Sequence, residues 1–152
     1  MTRQGGASML SDMVHEVEIA ADPATIYAAI TTQRGEAGFW VSDNMIQPKV
    51  GSEAQFRFKG APVPLRMRVD ALDANKRVKW TCLGEFPGWK DTTVTWTLLP
   101  GTEAGKTKVE FRMGNLAEYP EKEVGTVNYT WGQVVRRLKA YAETGTPQPL
   151  FP

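Results

Sequence analysis

Residues 90–113 read KDTTVTWTLLPGTEAGKTKVEFRM, and this stretch decides the fold. Val94, Trp96 and Leu98 fall on one side of an extended chain, and Thr93, Thr95 and Thr97 fall on the other. After the turn formers Pro100-Gly101-Thr102, the pattern resumes with Thr107, Val109, Phe111 and Met113 against Lys106, Lys108, Glu110 and Arg112. Apolar residues at a period of two, in two runs joined by a turn, predict antiparallel strands with one wet face and one covered face.

The same alternation extends backward. Ala54, Phe56 and Phe58 oppose Glu53, Gln55, Arg57 and Lys59. Leu65, Met67, Val69 and Ala71 oppose Arg66, Arg68 and Asp70, and Val78, Trp80 and Cys82 oppose Arg77, Lys79 and Thr81. Asp73-Ala74-Asn75 reads as a hairpin turn. Near the start, His15 to Ile19 alternates as a further strand. Asp22-Pro23 then supplies a helix cap and a first-turn proline for a short helix carrying Ile26, Tyr27 and Ile30. A second helical turn, bracketed by Gly35 and Gly38 as punctuation, ends near Phe39-Trp40.

The cover for the apolar face comes last. Val124, Val127, Trp131, Val134, Leu138 and Tyr141 recur at helical spacing, which predicts one helix over Val124 to Glu143 with Gly145 at its end. The expected class is α+β, a helix-grip: six to seven antiparallel strands curved around one long helix, with two short helices after the first strand. A curved sheet around a straight helix does not close everywhere, so a cavity on the order of several hundred Å³ is expected between them. The expected divisions are a flexible N-terminus over 1–13, a single domain over 14–146 and an extended tail over 147–152, read as a disordered end.

Composition narrows the function. The 152 residues carry 41% hydrophobic and 23% charged side chains, with 18 basic against 17 acidic, a net charge of +1. No basic stripe marks a nucleic-acid partner. No apolar run approaches the roughly 20 residues of a membrane span, and nothing resembles a signal peptide, so a cytoplasmic protein without membrane insertion is expected. Asn128-Tyr129-Thr130 matches a glycosylation acceptor but falls inside the predicted helix, and is read as chance. One histidine and one cysteine do not make a zinc site, and no phosphate cradle or Ser-His-Asp pattern is present. Neither metal nor cofactor is expected.

The sequence resembles the START-like, helix-grip superfamily, and within it bacterial proteins similar to the activator of heat-shock-chaperone ATPase. The resemblance spans about residues 14 to 146. Val17-Glu18-Ile19 with Asp22-Pro23-Ala24-Thr25-Ile26-Tyr27, Val50-Gly51 before Phe56-Arg57-Phe58, Arg77-Val78-Lys79-Trp80-Thr81 and Val94-Thr95-Trp96 carry its first part. Trp131, Leu138-Lys139-Ala140-Tyr141 and Glu143-Thr144-Gly145 carry its second. Where the family often has a Trp-Trp pair, this chain has Phe39-Trp40. The superfamily includes lipid and sterol carriers, polyketide cyclases and chaperone regulators, so the resemblance implies a ligand-sized cavity and no set of catalytic residues.

The function expected from these readings is binding of a small hydrophobic molecule, aromatic or lipid-like. Phe56, Phe58, Trp80, Trp96, Phe111 and Trp131 point by period into the space between sheet and helix, with Met67 and Tyr129 beside them. Ordinary core packing is the competing reading for each ring. His15, Tyr27 and Glu85 are the candidate polar groups; on a cyclase- or aromatase-like reading they would have to converge on the ligand. Cys82 reads as a small buried hydrophobe. The loop holding Glu85, Phe86 and Trp89 is either a lid or a plain hairpin loop. An interaction with a chaperone, through Arg57, Arg66, Arg68, Arg77 and Lys79 on the outer face, or self-association, completes the alternatives.

Overall fold

The computed structural model describes residues 10–152. The alternation and the helical stripe become seven strands and three helices. In chain order these are β1 (Met13–Ile19), α1 (Pro23–Thr31), α2 (Gln33–Phe39), β2 (Asn44–Met45), β3 (Glu53–Phe56), β4 (Leu65–Asp73), β5 (Arg77–Cys82), β6 (Thr93–Pro100), β7 (Thr107–Gly114) and α3 (Val124–Thr144). All strands pair antiparallel in one curved sheet of order β1-β7-β6-β5-β4-β3-β2. A 3-10 turn at Glu121–Glu123 leads into α3, which at 21 residues runs about 30 Å across the sheet. Its Trp131, Val134, Val135 and Leu138 are buried, as the stripe predicts.

One strand departs from strict alternation. Between Val69 and Ala71 the register of β4 shifts: Val69 lies opposite Trp80, Ala71 opposite Lys79 and Leu72 opposite Val78. A bulge at Asp70 therefore turns Ala71 outward and Leu72 inward, contrary to the sequence reading of Ala71. The Asp70 carboxylate is occupied there, accepting from Arg68 Nε at 2.6 Å and from the Thr81 hydroxyl.

Caps hold the helices where the sequence places them. The Asp22 carboxylate accepts from the Thr25 N–H at 2.8 Å, and Thr32 Oγ1 accepts from the Gly35 N–H at 3.1 Å. Gly145, at φ 76°, closes α3 by donating to the Tyr141 carbonyl at 2.7 Å. The C-terminal end of α3 is tied to the end of β1: Lys139 Nζ donates to the Glu18 carbonyl at 2.7 Å, and Glu143 accepts from the Ala20 N–H at 2.7 Å.

Gly35 and Gly38 do more than punctuate. A Cβ on Gly35 would stand 2.3 Å from the Ala29 carbonyl oxygen of α1, and one on Gly38 would stand 2.4 Å from the Tyr141 ring of α3. The two glycines let α2 lie directly on both other helices. The tail also differs from expectation. Residues beyond Gly145 are extended, but they run back along the end of α2: Gln148, Leu150 and Phe151 donate to the carbonyls of Gly38, Phe39 and Trp40 at 3.0, 3.2 and 2.8 Å. Arg137 Nη1 donates to the Gln148 carbonyl at 2.8 Å, and Ser42 N–H donates to Phe151 O at 3.0 Å. Backbone pairing and an arginine anchor are signals that a proline-rich composition hides. Most of the expected N-terminal segment, 1–13, lies outside the described residues; β1 begins at Met13, and Asp12 pairs with Arg112 at 3.2 Å.

Gly35→Ala is expected to lower stability by about 1–3 kcal/mol, because backbone on α1 has to yield. Gly125, in α3, has open space around the position of its Cβ. Gly125→Ala is therefore expected to gain about 0.5–1 kcal/mol from helix propensity. Urea titrations of both variants check the opposite signs.

Candidate functional site

The space expected between sheet and helix is largely filled by the end of α2. Phe39 meets Trp96 edge-on at 6.2 Å between ring centroids. Trp40 stacks nearly parallel on Trp80 at 6.4 Å and 9°, packs on Phe56 at 4.4 Å and touches Trp131 of α3 at 5.0 Å. Phe56, Met67, Trp80, Trp96 and Phe111 are consequently sealed, each at 0% exposure, and belong to the core behind Trp40. Trp131 is anchored on Phe111 at 4.3 Å and donates its Nε1–H to Met113 Sδ at 3.3 Å.

The pocket that remains lies one layer outward, with a volume of about 250 Å³. Trp40 and Leu65 form its floor, and Trp131, Val127 and Thr130 of α3 form one wall. Phe58, Phe86, Trp89 and Phe151 complete it. Its lining is almost wholly apolar, and the one hydroxyl among these residues, on Thr130, already donates to the Thr126 carbonyl at 2.9 Å. Phe58 stands edge-on to Phe151 at 5.0 Å, so the tail supplies part of the wall. The 84–91 loop is a built element. Trp89 N–H donates to Phe86 O at 3.1 Å, the Thr92 hydroxyl donates to Trp89 O at 2.6 Å, and Trp89 rests on Trp131 at 6.1 Å and Tyr119 at 6.3 Å. Burial, with the Glu123 carboxylate adding to it, pushes the Tyr119 hydroxyl up to about 12.

Of the rings named from sequence, Phe58 and Trp131 reach this pocket. Tyr129 does not: it is 72% exposed, because two positions from Trp131 on a helix is more than half a turn away. Trp40, Leu65, Val127 and Phe151 were not among the predicted lining residues. Trp40 follows a short helix without a clear period, and Phe151 sits in the tail. A larger depression, about 580 Å³ in volume, lies at the hairpin ends, where Pro23, Leu98, Leu99 and Pro100 are mixed with Lys76, Arg77 and Lys106 and no aromatic ring takes part.

The candidate polar groups stand apart. His15 Nε2 pairs with Asn128 Oδ1 at 2.8 Å between β1 and α3. Tyr27 lies on α1, its hydroxyl raised by burial and by nearby Asp73. Glu85 pairs with Arg66 at 2.8 Å. None of the three lines the pocket, so they cannot act together on one bound molecule there. Cys82 is fully buried, and burial pushes its thiol up, away from nucleophile chemistry. Among the described residues no cluster of three His, Cys, Asp or Glu side chains could hold a metal. On the outer face two of the arginines are closely met by acids, Arg66 by Glu53 and Glu85 at 2.8 Å each and Arg68 by Asp70 at 2.6 Å, while Arg57 stands 3.9 Å from Asp43. The Arg66 hydrogen bond holds the Glu53 carboxyl down at about 2.

One buried acid escaped the sequence reading. Glu36 on α2 is 0% exposed, and neither carboxyl oxygen has a hydrogen-bond partner among the described residues. Trp80 Nε1 and Trp96 Nε1 are buried in the same condition.

A family model described as Activator of Hsp90 ATPase homolog 1-like protein matches residues 20–143. The chain belongs to that family. The Aha1 dimer from Colwellia psychrerythraea, solved in solution, is 31% identical with a TM-score of 0.77, covering 90% of this chain and 98% of its own. DynU16, a protein in the dynemicin biosynthetic locus, is 26% identical with a TM-score of 0.70, covering 90% of this chain and 48% of its own. A Bacillus halodurans protein at 20% identity and a TM-score of 0.70, covering 88% of this chain and 98% of its own, shares the fold. No curated protein sequence matches this chain. No described helix is long and apolar enough to cross a membrane.

Burial holds the Glu36 carboxyl well above its ordinary value of 4.5. The folded chain therefore keeps a proton that the unfolded chain releases above about pH 4.5, and the associated stability, full below that pH, is lost as pH rises. The loss can reach about 1.4 kcal/mol per pH unit. Glu36→Gln removes this titration. Its urea midpoint relative to wild type is expected to rise as pH increases above about 4.5, and an unchanged difference would show that Glu36 is solvated.

Proposed function

We propose that this domain binds a small apolar, ring-bearing molecule in the pocket bounded by Trp40, Phe58, Phe86, Trp89, Trp131 and Phe151. The observation that carries this reading is an almost wholly apolar hollow walled by aromatic side chains in a family fold that commonly holds ligands. Its volume is below the roughly 300–1,000 Å³ of drug-sized sites, so a two-ring compound or a short acyl chain fits better than a sterol. The separation of His15, Tyr27 and Glu85 from this pocket favours binding over cyclase- or aromatase-like catalysis.

A ligand specific for the folded state at a hundred times its dissociation constant is expected to add about 2.7 kcal/mol, a melting shift of several degrees. Val127→Trp fills the hollow from α3 and is expected to abolish that shift while leaving the fold intact. A panel of two-ring aromatics and medium-chain lipids that moves neither protein equally refutes the reading.

Self-association is a second reading, favoured by the dimeric Colwellia psychrerythraea relative at 31% identity. Sedimentation equilibrium tests it, and a monomer at micromolar concentration removes it. The family's name raises activation of a chaperone ATPase as well. On the outer sheet face, however, the ion pairs of Arg66 and Arg68 leave less free positive charge than the sequence implied.

A further inference from the structure

The buried polar atoms behind Trp40 are not accounted for by packing. Leaving one such group without a partner costs about 1–3 kcal/mol, and folded interiors hold few of them. Here the two Glu36 carboxyl oxygens and the indole N–H groups of Trp80 and Trp96 are all in this condition among the described residues. The two indoles are neighbours, and Glu36 lies on the helix whose end covers them. Phe39 and Trp40 follow Glu36 by three and four positions, so the three side chains share a face of α2. Phe39 meets Trp96 and Trp40 stacks on Trp80, while Trp80 and Trp96 are themselves 6.4 Å apart. The helix thus carries the carboxyl toward the interior that the two indoles line. Trp40 is the partition, forming the floor of the pocket on one side and covering Trp80 on the other.

We infer that Glu36, Trp80 and Trp96 form the polar end of the ligand site, reached when Trp40 changes rotamer, and that the bound molecule is apolar with an uncharged hydroxyl or carbonyl at one end. The inference rests on the reading of the pocket as a ligand site. The chemistry selects the end group. Two indoles donate to an oxygen, and a neutral carboxyl both donates and accepts, so a hydroxyl or carbonyl satisfies them together. A carboxylate would bring a charge into an interior with no cation to meet it. An ammonium would require Glu36 to ionise, and both charges would then be desolvated. Burial favours the neutral form of Glu36, in agreement with this choice.

Four compounds of one skeleton test it: biphenyl, 4-phenylphenol, 4-phenylbenzoate and 4-phenylbenzylammonium. Each is titrated into wild type, Glu36→Gln and Glu36→Leu, with binding followed by the tryptophan indole N–H resonances. Wild type is expected to prefer 4-phenylphenol to biphenyl by about tenfold, the worth of a net buried hydrogen bond, with the Trp80 and Trp96 signals moving only for the phenol. Glu36→Leu is expected to erase the preference while still binding biphenyl, and Glu36→Gln to retain part of it. Equal binding of phenol and hydrocarbon to wild type, unmoved Trp80 and Trp96 signals, or preference for either charged compound overturns the inference and leaves the pocket reading standing. If none of the four binds wild type, both fall.

Discussion

Trp40 is wedged between the sheet and the long helix, and the interior is organised around it. Its indole contacts Phe56, Phe58 and Trp80 from the sheet side and Trp131 from α3. Offset and edge contacts of this kind are worth about 0.5–1.5 kcal/mol each beyond the area they bury. The wedge can enter only because α2 lies tightly on its neighbours, which Gly35 permits against α1 and Gly38 permits against α3. The tail then pairs with the backbone at Gly38, Phe39 and Trp40 and holds the end of that helix from outside. Core, pocket floor and tail are thus consequences of one placement.

That placement divides the interior into two environments. Outward of Trp40 the walls are mostly rings, and the Thr130 hydroxyl among them is already bonded, an arrangement suited to an apolar surface. Inward of it the side chains are fully buried, yet a carboxyl and two indole N–H groups are without partners among the described residues. The outer face of the sheet shows the contrasting arrangement, with each of Arg66, Arg68 and Arg112 set against carboxylates in water, where the pairs contribute little to stability. An unpaired acid in the core is costly by comparison, and such costs persist in folded proteins where function uses them.

Membership of the family accounts for the architecture and leaves the chemistry to particular side chains. Relatives with the same fold are described in terms as different as an Aha1 dimer and a protein of the dynemicin biosynthetic locus. The local features that shape the interior of this chain are Phe39-Trp40 at the end of α2, Glu36 one turn before it, and a tail that returns over the same helix.

The succession of antiparallel strands and the gripping helix were legible in the amino-acid sequence, because the side chains of β3 to β7 largely alternate at a period of two and those of α3 recur at helical spacing. Asp22-Pro23 and Gly145 marked helix ends by backbone chemistry that acts within a few residues. Those are short-range signals, and one chain suffices to show them. The division between core and pocket depended on tertiary structure. Phe56, Trp80, Trp96 and Phe111 carry the same inward parity as Phe58, yet only Phe58 borders the hollow, since α2, distant in sequence, fills the space in front of the others. The bulge at Asp70 reversed the parity of Ala71 and Leu72 through a pairing between strands. Glu36 looks like an ordinary surface residue of a short helix; two glycines and the docking of that helix on α1 and α3 bury it. Periodicity decides which way a side chain points, and only packing decides what stands in front of it.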